Sequence, residues 1–264
     1  MNKYFYLYII RNILRYEKQY MIMNKKTKIV ILFILIMVIS TLVYGIYYVN
    51  DYYHADENVL NLINGTDTVD VIKNDNYLFL NGSGNDTALI FYPGAKVEYT
   101  SYLPLLMNLS NSGIDCYVVE MPFNLAFFGE NRADDIINND LYNYSNWYMS
   151  GHSLGGSFAS NYARNHEDNI TGLILLASYP SLDIKNLSVL SIYGSNDNVL
   201  NKENYDKAKV YMPDNYTEYV INGGNHAQFG SYGKQAGDGI ADITGNEQIN
   251  ITVKEILEFI LKNK

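Results

Sequence analysis

Trp147 to Ser150 reads as a short strand running directly into Gly151-His152-Ser153-Leu154-Gly155-Gly156, and Ser157 to Asn165 reads as the helix that follows. A G-x-S-x-G pentapeptide at such a junction is demanding. The serine must adopt a strained backbone conformation, and the glycines two residues to either side must admit neighbouring backbone. The turn pushes the hydroxyl beyond the sheet edge and aims the first amides of the helix at the same point. It therefore requires a buried strand before it and a helix packed on the sheet after it.

The flanking sequence meets that requirement. Val69–Ile72 and Tyr77–Leu80 read as a hairpin around Asn74-Asp75-Asn76. Ala88–Tyr92, Ile114–Glu120, Leu173–Ala177, Val189–Tyr193 and Glu218–Ile221 read as further strands. Between them Tyr99–Leu109, with Tyr102, Leu105, Leu106 and Leu109 on one face, reads as a helix, as do Arg132–Asn138 and the closing Ile251–Leu261. Strands alternating with amphipathic stretches predict an α/β domain with a mainly parallel sheet flanked by helices, spanning 68–264. The connection Ser178–Leu187 is too short for a large cap.

The amino-terminal part obeys a different pattern. Ile29–Val49 is apolar, small or aromatic throughout, and about 21 residues at about 1.5 Å rise make about 31 Å, the thickness of a hydrocarbon core. Lys25, Lys26 and Lys28 precede it, and no Lys or Arg follows before Lys73. This predicts a single-pass cell-membrane anchor over 29–49, with residues 1–28 inside and the domain over 68–264 extracytoplasmic. Tyr44, Tyr47, Tyr48, Tyr52 and Tyr53 suit the outer interface. A cleaved signal is the rival, but no A-x-A-like site follows the run. Tyr4–Ile10 is too short to span and suits the membrane surface. Met23 is an alternative start to Met1. Residues 50–67 are polar and read as a stalk.

A formal net charge of -9 has the wrong sign for a nucleic-acid partner. One cysteine, Cys116, excludes an internal disulfide, and no Cys/His cluster has metal-binding spacing. No metal or cofactor is called for.

A serine hydroxyl is a weak nucleophile at neutral pH, so Ser153 needs a base and a group to steady that base. Gly194-Ser195-Asn196-Asp197 ends one strand and makes Asp197 the best acid, ahead of Asp183. Asn222-Gly223-Gly224-Asn225-His226 ends the last strand. Of the four histidines, His54 lies in the stalk, His152 in the turn and His166 near a helix end, which leaves His226 as base. The order Ser, Asp, His is the one associated with a G-x-S-x-G turn. Developing oxyanion charge would meet the amides of Leu154 and Ala95, the latter in Tyr92-Pro93-Gly94-Ala95. Phe123, Phe127 and Phe128, after the Ile114–Glu120 strand, are expected either as an apolar wall for an acyl group or as side chains packed under their own loop. Glu98 is expected chiefly as a cap of the following helix, with a polar pocket group as the alternative.

The ordered set GHSLGG, GSND and GGNH resembles the α/β-hydrolase superfamily. FYPGAKVEYTSY, EMPFNLAFFG, LILLASYP and GGNHAQFGSYG look like the α/β-hydrolase fold-5 group, related to dienelactone-hydrolase-like enzymes, over about residues 70–262. The resemblance implies an α/β-hydrolase fold with Ser153 as nucleophile, Asp197 as acid, His226 as base, and Leu154 and Ala95 as oxyanion donors. With only the short Ser178–Leu187 connection at the usual lid position, a small-molecule substrate, a small or exposed ester, lactone or related acyl compound, is expected. A peptidase or acyltransferase with the same triad, and a non-catalytic binding protein on this fold, are the alternatives.

Overall fold

The computed structural model of the chain describes residues 8, 11, 12, 15, 16, 20, 23–84, 86–139 and 143–263. Apart from those few positions, the expectations for residues 1–22, including the Tyr4–Ile10 segment, lie outside the described residues. The chain divides after Asn50. In the first unit, α1 (Lys25–Asn50) is one helix of 26 residues with no buried side chain. The Asn24 side chain caps it by accepting the Thr27 amide at 2.9 Å, so the helix takes in the lysines ahead of the apolar run. By length and composition α1 is able to cross a membrane.

The second unit, Asp51–Lys264, has eight strands in one sheet among its described residues. They are β1 (Asp70–Lys73), β2 (Tyr77–Asn81), β3 (Thr87–Tyr92), β4 (Asp115–Val119), β5 (Asn146–His152), β6 (Gly172–Leu176), β7 (Ser188–Gly194) and β8 (Thr217–Ile221). Their spatial order is β1-β2-β4-β3-β5-β6-β7-β8. The β1–β2 and β2–β4 pairs are antiparallel and every other pair is parallel, as the alternating pattern predicted. Helices α2 (Glu57–Leu60), α3 (Leu103–Asn111), α4 (Asp134–Ile137), α5 (Leu154–Asn165), α6 (Lys202–Ala208) and α7 (Gly245–Lys262) complete the unit.

Two-residue alternation sends successive strand side chains to opposite faces. Leu89 and Phe91 of β3, with Cys116 and Val118 of β4, pack under α3 and α7. Ala88, Ile90 and Tyr92, with Tyr117 and Val119, pack under α5. Both faces of the inner strands are therefore buried, which accounts for their unbroken apolar runs. At the closing helix, Thr244 and Glu247 form a reciprocal capping box. This starts α7 at Gly245, six residues before the apolar stripe made a helix legible.

Residues 51–67, expected as a stalk, pack on the domain. Tyr53 bridges to Val97, the Ala55 amide donates to Glu98 Oε2 at 3.1 Å, and the Asp56 amide donates to the Ser231 carbonyl at 2.8 Å. Val59 of α2 is buried. Glu98 thus holds this segment, and its other oxygen accepts the Thr100 hydroxyl at 2.9 Å.

Candidate active site

β3 lies between β4 and β5, so the chain leaves β3 to one side and later returns on the other. The loops after β3 and β5 diverge there, and ligands of open α/β sheets bind at such a point. Tyr92 pairs with Gly151, which sets Pro93-Gly94-Ala95 beside the turn that carries Ser153.

Ser153 has φ 53 and ψ -126. A non-glycine residue there is strained, and its surroundings must hold it. Its amide donates to the Leu176 carbonyl at 2.9 Å, and α5 begins at the next residue. Of the three glycines of this turn, Gly155 packs most closely, since a Cβ there would lie 2.2 Å from the carbonyl oxygens of Tyr92 and Pro93. Only glycine lets the loop after β3 rest on the first turn of α5. Among the described residues, neither the Leu154 amide nor the Ala95 amide has a hydrogen-bond acceptor. The first is one of the free donors that every helix start presents.

Asp197 follows β7. Its Oδ1 accepts the amides of Val199 and Leu200 at 2.9 and 2.8 Å. Its Oδ2 lies 2.9 Å from His226 Nδ1, and both side chains are buried. Two backbone donors hold one carboxylate oxygen, leaving the other to fix the imidazole with its Nδ1 proton toward the acid. Among the described residues His226 Nε2 has no hydrogen-bond partner, the Ser153 hydroxyl included. Ser153 and His226 line one cavity of about 230 Å³ together with Leu154, Ser178, Tyr179 and Leu200.

The loop carrying His226 is tied down twice. The buried Gln248 of α7 takes the Asn225 amide at 3.0 Å and donates to the Asn225 carbonyl at 2.8 Å. Asp238 accepts the amides of His226 and Ala227 at 3.3 and 2.9 Å.

His152, read from sequence as a turn residue, is buried. Its Nδ1 lies 2.8 Å from the Tyr102 hydroxyl, which accepts the Gly94 amide at 3.1 Å. Burial holds the Tyr102 phenol protonated, so its O–H donates to His152 Nδ1. The His152 ring is 4.5 Å from that of His226. Burial first, then the neighbouring His226, keep its pKa well below the usual imidazole value, so it is neutral. Tyr102, Gln248 and Asp238 carried no sequence signal, because their partners are remote in the chain.

The remaining expectations fall elsewhere. Asp183 is exposed and pairs loosely with Lys185 at 3.9 Å. His166 meets the Tyr162 carbonyl at 2.8 Å. Phe123, Phe127 and Phe128 do not line the Ser153 cavity. They are 58, 67 and 54% exposed, while Met121 and Ala126 occupy the buried positions of that loop.

A profile of the alpha/beta hydrolase family matches residues 88–250. No curated protein matches the sequence. Among solved structures, Est1E from Butyrivibrio proteoclasticus is similar at TM-score 0.53 and 16% identity, over 74% of this chain and 99% of that one. Mouse alpha/beta hydrolase domain-containing protein 10 is similar at TM-score 0.54 and 14% identity, over 75 and 100%. A monoacylglycerol lipase from Paleococcus ferrophilus is similar at TM-score 0.53 and 13% identity, over 72 and 99%. At these identities the structures speak for the fold alone. With the profile covering β3 through the first turn of α7, and so the whole span from Ala95 to His226, the chain belongs to the alpha/beta hydrolase family.

Proposed function

We propose that the chain is a membrane-anchored serine hydrolase that cleaves an ester, lactone or related acyl bond through Ser153, His226 and Asp197. The observation that carries this is the buried Asp197–His226 hydrogen bond with Nε2 left free, on a cavity shared with the strained Ser153. His226 Nε2 takes the Ser153 proton as Oγ attacks the carbonyl carbon. The oxyanion is held by the amides of Leu154 and Ala95, and such donors are worth about 3–4 kcal/mol each. The imidazolium then gives its proton to the leaving alcohol, and an acyl-serine remains. Water enters, loses a proton to His226 and attacks the acyl carbon, and the Oγ–carbon bond then breaks as His226 returns that proton to Ser153, releasing the acid. Hydrogen bonds from nucleophile to base commonly tighten only when substrate binds, so an open Ser153–His226 pair suits the resting enzyme.

The cavity is smaller than the usual 300–1,000 Å³ or so of ligand pockets, and Ala177–Leu187 carries no helix above it. The reacting group is therefore small. The anchor is α1, with the lysines inside and the domain beyond the outer face.

A fluorophosphonate probe tests the reading. Intact protein should be labelled at Ser153, with the adduct mapped by peptide mass spectrometry, and Ser153→Ala should not be labelled. A well-folded chain that takes no label would leave only a binding role.

A further inference from the structure

We infer that Phe123, Phe127 and Phe128 dock the mouth of the candidate active site on a lipid bilayer, and that the substrate is an amphiphile whose apolar part stays in that bilayer. This rests on the membrane-anchored hydrolase reading above.

The three rings sit on two short turns, Pro122–Asn124 and Ala126–Phe128, that follow the carboxyl end of β4. Ser153 and Ala95 follow the carboxyl ends of β5 and β3, so all three loops share one edge of the sheet. The rings pack edge-on against one another, with centroids 5.5 and 5.1 Å apart, and remain more than half exposed. Phe123 and Asn124 both adopt left-handed backbone, at φ 57 and 55, which is strained for a phenylalanine. A strained turn that leaves a cluster of phenylalanines in water needs an apolar surface to cover it.

Chain connectivity says which surface. The Lys96 amide donates to the Asn124 carbonyl at 2.8 Å, and the Lys96 carbonyl accepts the Tyr53 amide at 2.7 Å. Tyr53 follows Asn50, the last residue of α1, by three positions. Covalent geometry alone limits three residues to about 11 Å, whatever the direction of the helix. Where α1 spans a membrane, the loop bearing Phe123 is bound through two hydrogen bonds to a point that close to its end. The cavity and the lack of a helix over Ala177–Leu187 complete the inference. The cavity of about 230 Å³ shared by Ser153 and His226 is small for a long chain, so the acyl group under attack enters it and the remainder stays in lipid. With a net charge of -9, the attraction is apolar and needs no anionic lipid.

The test places the full chain carrying Phe127→Trp in dioleoylphosphatidylcholine vesicles and in matched vesicles of brominated phosphatidylcholine. Trp147, the one native tryptophan, is buried and supplies the baseline from unsubstituted protein. The new indole should emit at shorter wavelength than in water, and its emission should fall by about half in the brominated vesicles. Val210→Trp, exposed just before β8 enters the opposite edge of the sheet, should show neither effect. Phe123→Ser with Phe127→Ser should lower the ratio of vesicle-resident to water-soluble ester turnover about tenfold. A water-like, unquenched indole at 127, or equal quenching at both positions, overturns docking. Fluorophosphonate labelling is read separately. Labelling without quenching sinks docking alone, whereas quenching without labelling upholds docking and sinks the hydrolase.

Discussion

Asp197 Oδ2 lies 2.9 Å from His226 Nδ1, while the other oxygen of the same carboxylate is held by two backbone amides. The amide pair fixes which oxygen faces the ring, and the acid in turn fixes which ring nitrogen carries the proton. In Asp197→Asn the side-chain oxygen can keep both amides, but an NH2 group then faces Nδ1. The ring must place its proton on Nε2, the atom required to be bare. Ester turnover should fall by about 10⁴-fold with little change in thermal midpoint. Steady-state kinetics beside thermal unfolding would check this, and a drop below tenfold would remove Asp197 from its role.

Gly155 makes a sharper structural prediction. A methyl group at this position meets the carbonyl oxygens of Tyr92 and Pro93 at 2.2 Å, and both are backbone atoms at the end of a buried strand. Neither can move without shifting β3 or α5. Gly155→Ala should lower stability by about 3 kcal/mol. It should also push the Ala95 loop off the turn, so probe labelling of Ser153 should slow more than the fraction folded predicts. Denaturant unfolding and labelling rate on one preparation would separate the two effects.

The sequence made legible whatever depends on local punctuation. Ser153, Asp197 and His226 each sit where a strand gives way to a glycine-containing turn, so each could be placed at a strand end without knowing the fold. Their neighbours could not. Gln248 reaches Asn225 across 23 residues and Tyr102 reaches His152 across 50, and a buried amide or phenol looks locally like any core residue. Segment 50–67 was misleading in the other direction. Its polar composition suggests a spacer, yet backbone pairing with Lys96 and Glu98 depends on no side-chain pattern. The phenylalanines show the limit of composition: an apolar loop has only so many inward positions, and Met121 and Ala126 hold them.

Tyr102 is the link between the turn and the Ala95 loop. In Tyr102→Phe the Gly94 amide and His152 Nδ1 both lose their buried partner, and each unpaired group costs about 1–3 kcal/mol. The protein should unfold at lower temperature. Because Gly94 precedes the proposed donor Ala95, kcat should fall about tenfold while KM changes little. Kinetics with a soluble ester would test this. A rise in KM at constant kcat would place Tyr102 in substrate binding instead.

His152 provides the pH dependence. Around it stand Tyr102, which keeps its proton, Phe229, which has none to exchange, and His226, which is bonded to Asp197. None of these offers His152 a negative partner of its own, so burial followed by His226 lowers its pKa well below 6.5 in the folded chain. The unfolded chain binds a proton at His152 near pH 6.5, and the folded chain does so only at much lower pH. Between these two values the unfolded state holds the extra proton. Stability is therefore fully present above the unfolded value and declines as pH falls below it, by about 1.4 kcal/mol per pH unit for one group. Denaturant midpoints of the full chain in detergent micelles, followed between about pH 5 and 8, should show this decline. His152→Asn, whose amide oxygen can accept the Tyr102 hydroxyl, should flatten the slope by about one proton. An unchanged slope would mean that the acid sensitivity of the fold arises at another group.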